Sequence, residues 1–389
     1  MSLSLRTARN AHVFFFIIPP TTKTGIIISM TRVPFYLDWM GSVLDKPSDW
    51  LLALGRLESH LLTYDIADIT IDKPIFVTGM ARAGSTVILE ALNDASVTSS
   101  FQYRDYPFIH ANYFWNIVRL AVPTSTRKKQ RTHQDGIDIS LRSPEALEEI
   151  LWTAFYPPSA DRMPILNAPH SDEAFSAHYQ NSIKKLLYLR KGTRYLAKNN
   201  NLIARLPYAR SLFPDARFIV PLRDPAAHIY SLIKQHRLIS DAQKADPASA
   251  RYMRRNGHFE FGQDFRPIAF EGIDEVIALW HAGDIVQAYA HYWRLYHMHI
   301  AQMLDDDADL RAQCCLITHE TLCDDPKASL SRISEFCMLP PSDAENIGAH
   351  WAARLKRPTY YHNDFSDDEI TMIEDITRPA QEQLWRMID

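Results

Sequence analysis

The sequence of 389 residues lacks the features that would assign it to an extreme class of protein. It has no excess of charge of one sign, because 42 lysine and arginine residues stand against 46 aspartate and glutamate residues, a formal net charge of −4. This balance gives no indication of a nucleic-acid-binding protein. Internal repeats and low-complexity tracts are also missing, and the hydrophobic fraction of 46% predicts an ordinary globular core.

Cysteine is scarce, and a membrane-spanning apolar run is missing. The four cysteines have no paired C-x-x-C spacing, and two lie in the apolar run CCLIT, which favours a buried strand over a disulfide or metal site. This usage predicts a reducing, cytoplasmic location. The N-terminal run HVFFFIIPP ends at Pro19 and Pro20 and is too short to cross a bilayer. We expect the residues before Met30, a candidate biological start, to be poorly ordered.

Short apolar runs alternate with helical patterns along the chain. The run IFV at Ile75–Val77 precedes a glycine and predicts a central parallel strand, buried on both faces. RYLAK, FIVPL and CCLIT predict further strands. Apolar residues at helical spacing predict one helix that begins near Asp49, a second over Glu145–Phe155 and a third that ends at Gly192. Such alternation predicts an α/β fold with a central parallel sheet flanked by helices.

The stretch IFVTGMARAGSTVILEAL has the layout of a phosphate-binding loop. Gly79 and Gly84 have the spacing of a nucleotide-binding loop, and their flexibility lets backbone N–H groups point inward at the start of the next helix. The lysine that ATP-binding loops carry after the second glycine is missing, and Ser85 stands there instead. Arg82 is a replacement cation whose planar fork suits phosphate or sulfate oxygens. A strand-to-helix turn without a ligand is the alternative.

A second motif, RDPAAHIYS, follows the FIVPL strand. It places Arg223 at a strand end, where open α/β sheets bind ligands, and Ser231 eight residues later in the next helix. The surrounding stretch from Ser182 to Arg237 holds 12 lysines and arginines and two acids, which indicates an anionic ligand or a solvated basic face. Taken singly, Arg223 could pair with Asp224, and Ser231 could be an ordinary helix residue.

Together the two motifs resemble those of the sulfotransferases that use 3′-phosphoadenosine 5′-phosphosulfate (PAPS), and most of all the bacterial and Golgi-type members. The family pattern G-x-P-R-S-G-T-T appears as GMARAGST, with Ala81, Ala83 and Ser85 as departures, and R-D-P with a serine eight residues after the arginine follows. The resemblance covers roughly Lys73–Pro340. It implies a three-layer, P-loop-type α/β fold, PAPS as the sulfuryl donor and no metal.

The resemblance also implies roles for individual residues. The 5′-phosphosulfate would be held by the loop, and Lys198 would stabilise charge on the leaving group. Arg223 and Ser231 would bind the 3′-phosphate. The loop residues concerned are Arg82, Ala83, Gly84, Ser85 and Thr86.

The base that removes the acceptor proton is harder to assign. Related families place a glutamate or histidine shortly after the loop helix, but the matching stretch SFQYRDYPFIHANYF has no glutamate. We rank Asp105 first, His110 second and His236 third. Asp105 could instead pair with Arg104, and His110 could be an ordinary helix histidine.

The acceptor pocket is expected to use three segments, and the acceptor to be a small molecule, carbohydrate or lipid. These segments are YRDYPFIHANYFW, the polar excursion Ser240–Asp274 with its arginines, and RPTYYHNDF. The arginines are Arg251, Arg254 and Arg255. The histidines of HYWRLYHMH lie among aromatic residues, as in a core helix, and do not form a metal motif.

We expect residues 1–45 to form an N-terminal extension and residues 46–389 a single sulfotransferase-like domain, with a lid over the site near residues 240–274. Three alternatives remain. A P-loop kinase would need the missing lysine, a non-catalytic binder of the donor nucleotide would explain the missing glutamate, and a structural protein would carry both anion motifs by chance.

Overall fold

A five-stranded parallel sheet lies at the centre of the protein. The computed structural model describes residues 33, 35–45, 49–120, 129–130, 138–166, 172–355 and 364–388. The strand order is β2-β5-β1-β6-β7, and each neighbouring pair is parallel. A separate antiparallel pair joins β3 and β4. In chain order the strands are β1 (Ile75–Val77), β2 (Thr98–Ser99), β3 (Lys129–Gln130), β4 (Asp138–Ile139), β5 (Arg194–Lys198), β6 (Arg217–Leu222) and β7 (Cys314–Thr318).

Helices cover both faces of this sheet, in the three-layer arrangement that the sequence predicts. The helices of the described residues are α1 (Phe35–Leu44), α2 (Asp49–Leu61), α3 (Thr63–Ile66), α4 (Ser85–Asn93), α5 (Asn112–Leu120), α6 (Glu149–Thr153), α7 (Glu173–Arg190), α8 (Leu206–Leu212), α9 (Pro225–Ala245), α10 (Pro247–Arg255), α11 (Ile273–Ala282), α12 (Ile285–Asp306), α13 (Ala308–Ala312), α14 (His319–Asp324), α15 (Pro326–Phe336), α16 (Pro341–Ala352) and α17 (Asp367–Trp385). Three short 3₁₀ turns add Tyr103–Asp105, Ile109–Ala111 and Asn200–Arg205.

The central strands are apolar throughout because both of their faces are buried. Successive side chains of a strand point to opposite faces. Phe76 therefore packs in a large core with the aromatic residues of α7 and α12, while Ile75 and Val77 pack in a second core with α4, α15 and α16. Full burial of a side chain such as Phe76 contributes roughly 1.5–3 kcal/mol. The continuous apolar run is thus the signature of a strand enclosed on both sides.

The predicted strands are confirmed, and several helix boundaries differ from the sequence expectation. The stretch Glu145–Phe155 contributes only the short helix α6. Pro207 lies in the first turn of α8, where the missing N–H of proline costs no helical hydrogen bond, and the 3₁₀ turn Asn200–Arg205 ends just before that helix. A glycine is needed at position 192 because the backbone there lies close to β2, and a Cβ would be 2.1 Å from Ser99 Oγ. The residue before it, Lys191, takes the left-handed conformation that ends α7.

The polar excursion near residues 240–274 is an ordered part of the fold. It contains the end of α9, all of α10 and residues 256–272, which we call the 256–272 connection. Its arginines bind acids: Arg251 and Arg255 pair with Asp38 on α1, at 2.6 and 3.0 Å. Helix α1, which belongs to the predicted N-terminal extension, is therefore bound by ion pairs to the predicted lid.

Some sequence expectations fall outside the described residues. These are the segment before residue 33 and most of RPTYYHNDF. Within the described ranges, no helix is long and apolar enough to cross a membrane. The same residues contain no group of three or more His, Cys, Asp or Glu side chains that could hold a metal ion. All four cysteines are described, and each is a free thiol.

Candidate functional site

The glycine loop, residues 78–84, connects the end of β1 to the start of α4 at the carboxyl edge of the sheet. Gly79 and Gly84 have φ values of 149° and 104°, which side chains rarely adopt. Arg82 also has a positive φ of 73°, a strained conformation for a residue with a Cβ. Gly84 caps α4, so Ser85 begins the helix and Thr86 follows half-buried in its first turn. The loop therefore presents the positive end of α4 at this edge.

The second predicted motif lies in direct contact with this loop. Arg223 follows β6, and its Nη1 donates a hydrogen bond of 3.1 Å to the carbonyl oxygen of Arg82. Arg82 Nε in turn donates to Ser231 Oγ at 3.3 Å. The connection after β1 runs to one side of the sheet and the connection after β6 to the other, so the contact lies at a topological switch point. The fold thus joins two motifs that are more than 140 residues apart.

His228, a buried histidine that the sequence did not single out, forms a hydrogen bond to the backbone of the glycine loop. His228 on α9 bonds the carbonyl oxygen of Ala81 through Nε2 at 2.8 Å, and its Nδ1 accepts a hydrogen bond from Trp293 Nε1 at 3.2 Å. Because Nδ1 accepts, Nε2 carries the proton and donates. Burial lowers the pKa of His228 well below its usual value, and the nearby charge of Arg223 lowers it further. This neutral histidine holds the loop backbone in place.

Lys198 lies at the end of β5, next to the glycine loop. It pairs in register with Val77, the last residue of β1, and its side chain is almost wholly buried. The residues after it continue into the site, because Asn200 Oδ1 lies 3.5 Å from Ser85 Oγ. Lys198 and Asn200 thus border the start of α4 on the side away from Arg223.

Two buried glutamates below this strand end were not singled out from the sequence. Asn199 Nδ2 donates to Glu149 Oε2 at 2.9 Å, and Arg205 binds both oxygens of Glu149. Glu148 accepts hydrogen bonds from Tyr195 OH and other neighbours, but burial dominates and raises the pKa of Glu148 to about 7. These groups fix the turn after Lys198 and do not reach the glycine loop through any described hydrogen bond.

A third glutamate is connected through Asn200 to the start of α4. Glu260, in the 256–272 connection, accepts a hydrogen bond of 2.9 Å from Asn200 Nδ2. Burial by itself would raise the pKa of Glu260, but hydrogen bonding and charge from His258, the bond from Asn200 and the positive charge of Lys198 lower it to about 2. Glu260 was missed because its segment is weakly periodic and has no motif that connects it with the loop.

The structure places the predicted base Asp105 in an enclosed ion pair. Its Oδ1 accepts hydrogen bonds from Arg190 Nη2 at 2.6 Å and Asn116 Nδ2 at 2.8 Å, and its Oδ2 accepts from the Gln102 N–H at 2.7 Å. The side chain is 0% exposed. The predicted alternative partner, Arg104, is therefore replaced by Arg190, and the carboxylate ties the turn Tyr103–Asp105 to α5 and α7.

The other two predicted bases are also enclosed. His110 Nδ1 lies 2.9 Å from His178 Nε2, and burial followed by the charges of His178 and Lys185 lowers the pKa of His110 to about 3. His236 packs against Trp280, and burial lowers its pKa to about 4. None of the described contacts joins these two histidines to the glycine loop.

The three arginines expected to line the acceptor pocket are held in ion pairs. Arg251 and Arg255 both bind Asp38 of α1, and Arg254 Nη2 pairs with Asp264 at 2.7 Å. Their charges stabilise the packing of α1, α10 and the 256–272 connection. A direct role for them at an acceptor remains a prediction.

Comparison with known proteins adds family information to this geometry. A model described as the sulfotransferase family matches residues 74–264, which include the glycine loop, Lys198, Arg223 and Ser231. No relative was found among the curated proteins.

Solved structures with a similar fold come from bacteria. A sulfotransferase from Mycobacterium avium is 18% identical, with 88% of this chain and 85% of that chain covered and a TM-score of 0.51. A sulfotransferase from Mycobacterium tuberculosis is 13% identical, with 84% and 81% covered and a TM-score of 0.45. A sulfotransferase from Alicyclobacillus acidocaldarius is 12% identical, with 82% and 96% covered and a TM-score of 0.42. The first of these likenesses supports the fold.

Proposed function

Because residues 74–264 belong to the sulfotransferase family, we propose that the protein transfers a sulfuryl group from PAPS to a hydroxyl or amine of a small-molecule, carbohydrate or lipid acceptor. One observation carries the proposal. The Arg82 side chain and backbone contact Ser231 and Arg223, so two anion-binding motifs that are remote in sequence form one cationic site. A ligand with two separate anionic groups fits such a site better than a ligand with one.

In this proposal the glycine loop and the start of α4 bind the 5′-phosphosulfate. Backbone N–H groups at a helix N-terminus attract anions, and residues 84–86 supply them here. Arg82 adds a planar cation that can contact two oxygens at once. Ser85 and Thr86 add hydroxyl groups in the first helical turn.

The 3′-phosphate would lie at the end of β6, where Arg223 and Ser231 meet. Both side chains are largely buried, so their hydrogen bonds to an anion would compete with little bulk water. The alternative pairing of Arg223 with Asp224 is not favoured, because Asp224 caps α9 by accepting from the Ala227 N–H at 3.0 Å.

Transfer itself would require positioning and charge stabilisation. The acceptor atom attacks sulfur in line while the bond from sulfur to the bridging oxygen breaks, and negative charge develops on the departing 5′-phosphate. Lys198, next to β1, is suited to stabilise that charge. The proposed reaction needs no metal.

Binding of the desulfated donor, 3′-phosphoadenosine 5′-phosphate (PAP), tests this proposal. We expect PAP to raise the melting temperature, since a ligand at 100 times its dissociation constant stabilises the folded state by about 2.7 kcal/mol. ATP with Mg²⁺ is the control for the kinase alternative. The absence of a shift with PAP, or a shift with ATP–Mg²⁺ alone, would reject the proposed donor.

A non-catalytic PAP-binding protein is the second candidate, and one observation favours it. Asp105 and His110, the bases predicted from the motif, are both enclosed and bonded to other side chains. This candidate predicts PAP binding without turnover of PAPS by any acceptor, including water. Measurement of labelled sulfate release from PAPS distinguishes it from the enzyme.

A cytoplasmic location is part of the proposal. Its support is that the four cysteines are free thiols, three of them buried, as expected in a reducing compartment. Fractionation of cells that express the chain would test it.

A further inference from the structure

A carboxylate next to the candidate donor site has no assigned role. Glu260 reaches the site from the 256–272 connection, which the chain enters only after α10. Its Oε1 accepts the hydrogen bond from Asn200 Nδ2, and Asn200 is the residue whose side chain approaches Ser85 Oγ. The positive charge of Lys198 also acts on Glu260. The carboxylate is thus connected to both the start of α4 and the end of β5.

The accessibility of Glu260 distinguishes it from the bases predicted earlier. Its side chain is 16% exposed, whereas that of Asp105 is 0% exposed and carries three hydrogen bonds from the protein. A base must be able to contact the proton that it removes. Glu260 has a partly open surface at the edge of the site, and Asp105 has none.

The backbone around Glu260 is held firmly. Gly257 has a φ of 73°, and a Cβ there would lie 2.6 Å from Glu149 Cγ, so the chain turns closely over α6. The His258 N–H donates to the carbonyl oxygen of Met253 at 2.9 Å, and the Arg266 N–H donates to that of Phe259 at 2.9 Å. These contacts on both sides of Glu260 give its carboxylate a defined position.

A histidine lies behind the carboxylate. His258 Nδ1 is 3.7 Å from Glu260 Oε2, and His258 Nε2 is 3.9 Å from Glu145 Oε1. The three side chains form a row behind the candidate site, and His258 contacts the Glu260 oxygen that does not accept from Asn200.

We propose that Glu260 is the catalytic base, which accepts the proton of the acceptor group during sulfuryl transfer. The assignment rests on the proposed function. In the step, the acceptor oxygen forms a bond to sulfur, the bond from sulfur to the bridging oxygen breaks, and its electron pair leaves with PAP. The acceptor O–H bond breaks, and its proton is transferred to Glu260 Oε2.

The charge state of Glu260 is compatible with this role. Because its pKa is lowered to about 2, the carboxylate is ionised at neutral pH and ready to accept a proton. An acceptor hydroxyl becomes a much stronger acid as its oxygen bonds to sulfur, so a weak base can take the proton late in the step. A bound donor would also draw the charge of Lys198 towards its own phosphate and sulfate oxygens.

Substitution of Glu260 in the full chain tests the assignment. E260Q keeps the size of the side chain and its ability to accept from Asn200, but it removes the base. We expect sulfate transfer from labelled PAPS to water and to 4-nitrophenol to fall by about 100-fold or more, the range for loss of a general base. The dissociation constant for PAP is expected to stay within about threefold of the wild-type value.

A matched control and a rescue experiment sharpen this test. E271Q makes the same change at an exposed glutamate of the same connection and should leave transfer unchanged. In E260A, added formate should restore part of the transfer rate, because a small carboxylate can occupy the vacated space. A purely structural defect would not respond to formate.

Each outcome decides a separate point. Transfer by E260Q within about threefold of wild type would overturn the assignment, as would loss of PAP affinity in E260Q, which would make Glu260 a binding residue. The assignment would also be overturned if the wild-type protein bound PAP but transferred sulfate from PAPS to neither water nor 4-nitrophenol, because a protein without transfer activity has no catalytic base. Failure of the wild type to bind PAP would reject the proposed function itself.

Discussion

The layer formed by α2 and α7 and the carboxyl edge of the sheet contain similar charged side chains in different environments. In the layer formed by α2 and α7, Lys185 and Glu58 form an ion pair of 2.7 Å with both side chains 0% exposed, and His110 contacts His178. At the carboxyl edge of the sheet, by contrast, Arg82 is only half-buried and contacts Ser231 of the second candidate anion-binding motif.

For the candidate bases, the difference teaches that enclosure, more than residue type, separates structural side chains from candidate functional ones. A carboxylate or histidine whose hydrogen-bonding atoms are all occupied inside the protein holds elements together, and it cannot contact a substrate without breaking those bonds. The strand-end groups lie in the place where open α/β sheets bind ligands. Four experiments test this contrast.

The largest expected effect is on stability, at Asp105. D105A removes one partner of a buried pair and leaves Arg190 with an unmatched charge, which costs about 3 kcal/mol in the free energy of unfolding. Urea denaturation measures this loss. D264A, which breaks the more exposed pair with Arg254, should cost less than about 1 kcal/mol. If D105A is as stable as the wild type but loses sulfate transfer, Asp105 is catalytic and the contrast fails.

A nearly equal effect, on ligand affinity, is expected at Arg223. R223M should weaken PAP binding by about 30- to 160-fold, because a charge-assisted hydrogen bond contributes roughly 2–3 kcal/mol. Calorimetry with PAP measures the change. R378M alters an exposed arginine on α17 that pairs with Asp375 and should leave the affinity unchanged. If R223M and the wild type bind PAP with equal affinity, the 3′-phosphate does not bind at the end of β6.

A smaller effect concerns the pH dependence of stability in the α2–α7 layer. His110 and His178 have pKa values of about 3 and 4, chiefly because of burial, whereas the unfolded values are near 6.5. Between those limits the unfolded chain binds more protons, so stability decreases as the pH falls. Each histidine contributes up to about 1.4 kcal/mol per pH unit.

H110Q isolates this contribution. We expect its free energy of unfolding to fall less steeply than that of the wild type between pH 6 and pH 4, while other titrating groups act equally in both proteins. Urea denaturation across this range gives the two slopes. Parallel slopes would mean that His110 is not held neutral by burial.

The smallest expected effect is at Ser231. S231A removes one neutral hydroxyl, and the affinity for PAP should decrease about fivefold, the equivalent of one ordinary hydrogen bond of roughly 1 kcal/mol. AMP, which has no 3′-phosphate, should bind both proteins equally. An equal loss for AMP and PAP would assign Ser231 to the support of Arg82, which it contacts at 3.3 Å, and not to the 3′-phosphate.

Much of the fold could be predicted from local patterns. The apolar runs at β1, β6 and β7 are continuous because these strands are buried on both faces, and the glycine spacing after β1 indicated the loop. The predicted resemblance to sulfotransferases is confirmed by the family match over residues 74–264. Donor identity and residue roles at the site stay predictions.

The base could not be selected in the same way. Position after the loop helix favoured Asp105 and His110, and nothing in the neighbouring sequence indicates that Arg190 and His178, 85 and 68 residues away, enclose them. Glu260, by contrast, lies in a weakly patterned segment that gave no reason to select it. The packing of Gly257 over Glu149 brings this segment close to the end of β5. Enclosure depends on distant contacts that leave no local signal.

The sequence by itself determined the positions of β1, β5, β6 and β7, the glycine loop and the presence of two candidate anion-binding motifs, since each follows from residues close together in the chain. Only the tertiary structure decided that Arg82, Ser231 and Arg223 meet, and which acids are enclosed. The physical reason is that burial and pairing are set by groups far apart in sequence. Arg223 and Arg82, 141 residues apart, become neighbours only because β6 forms beside β1.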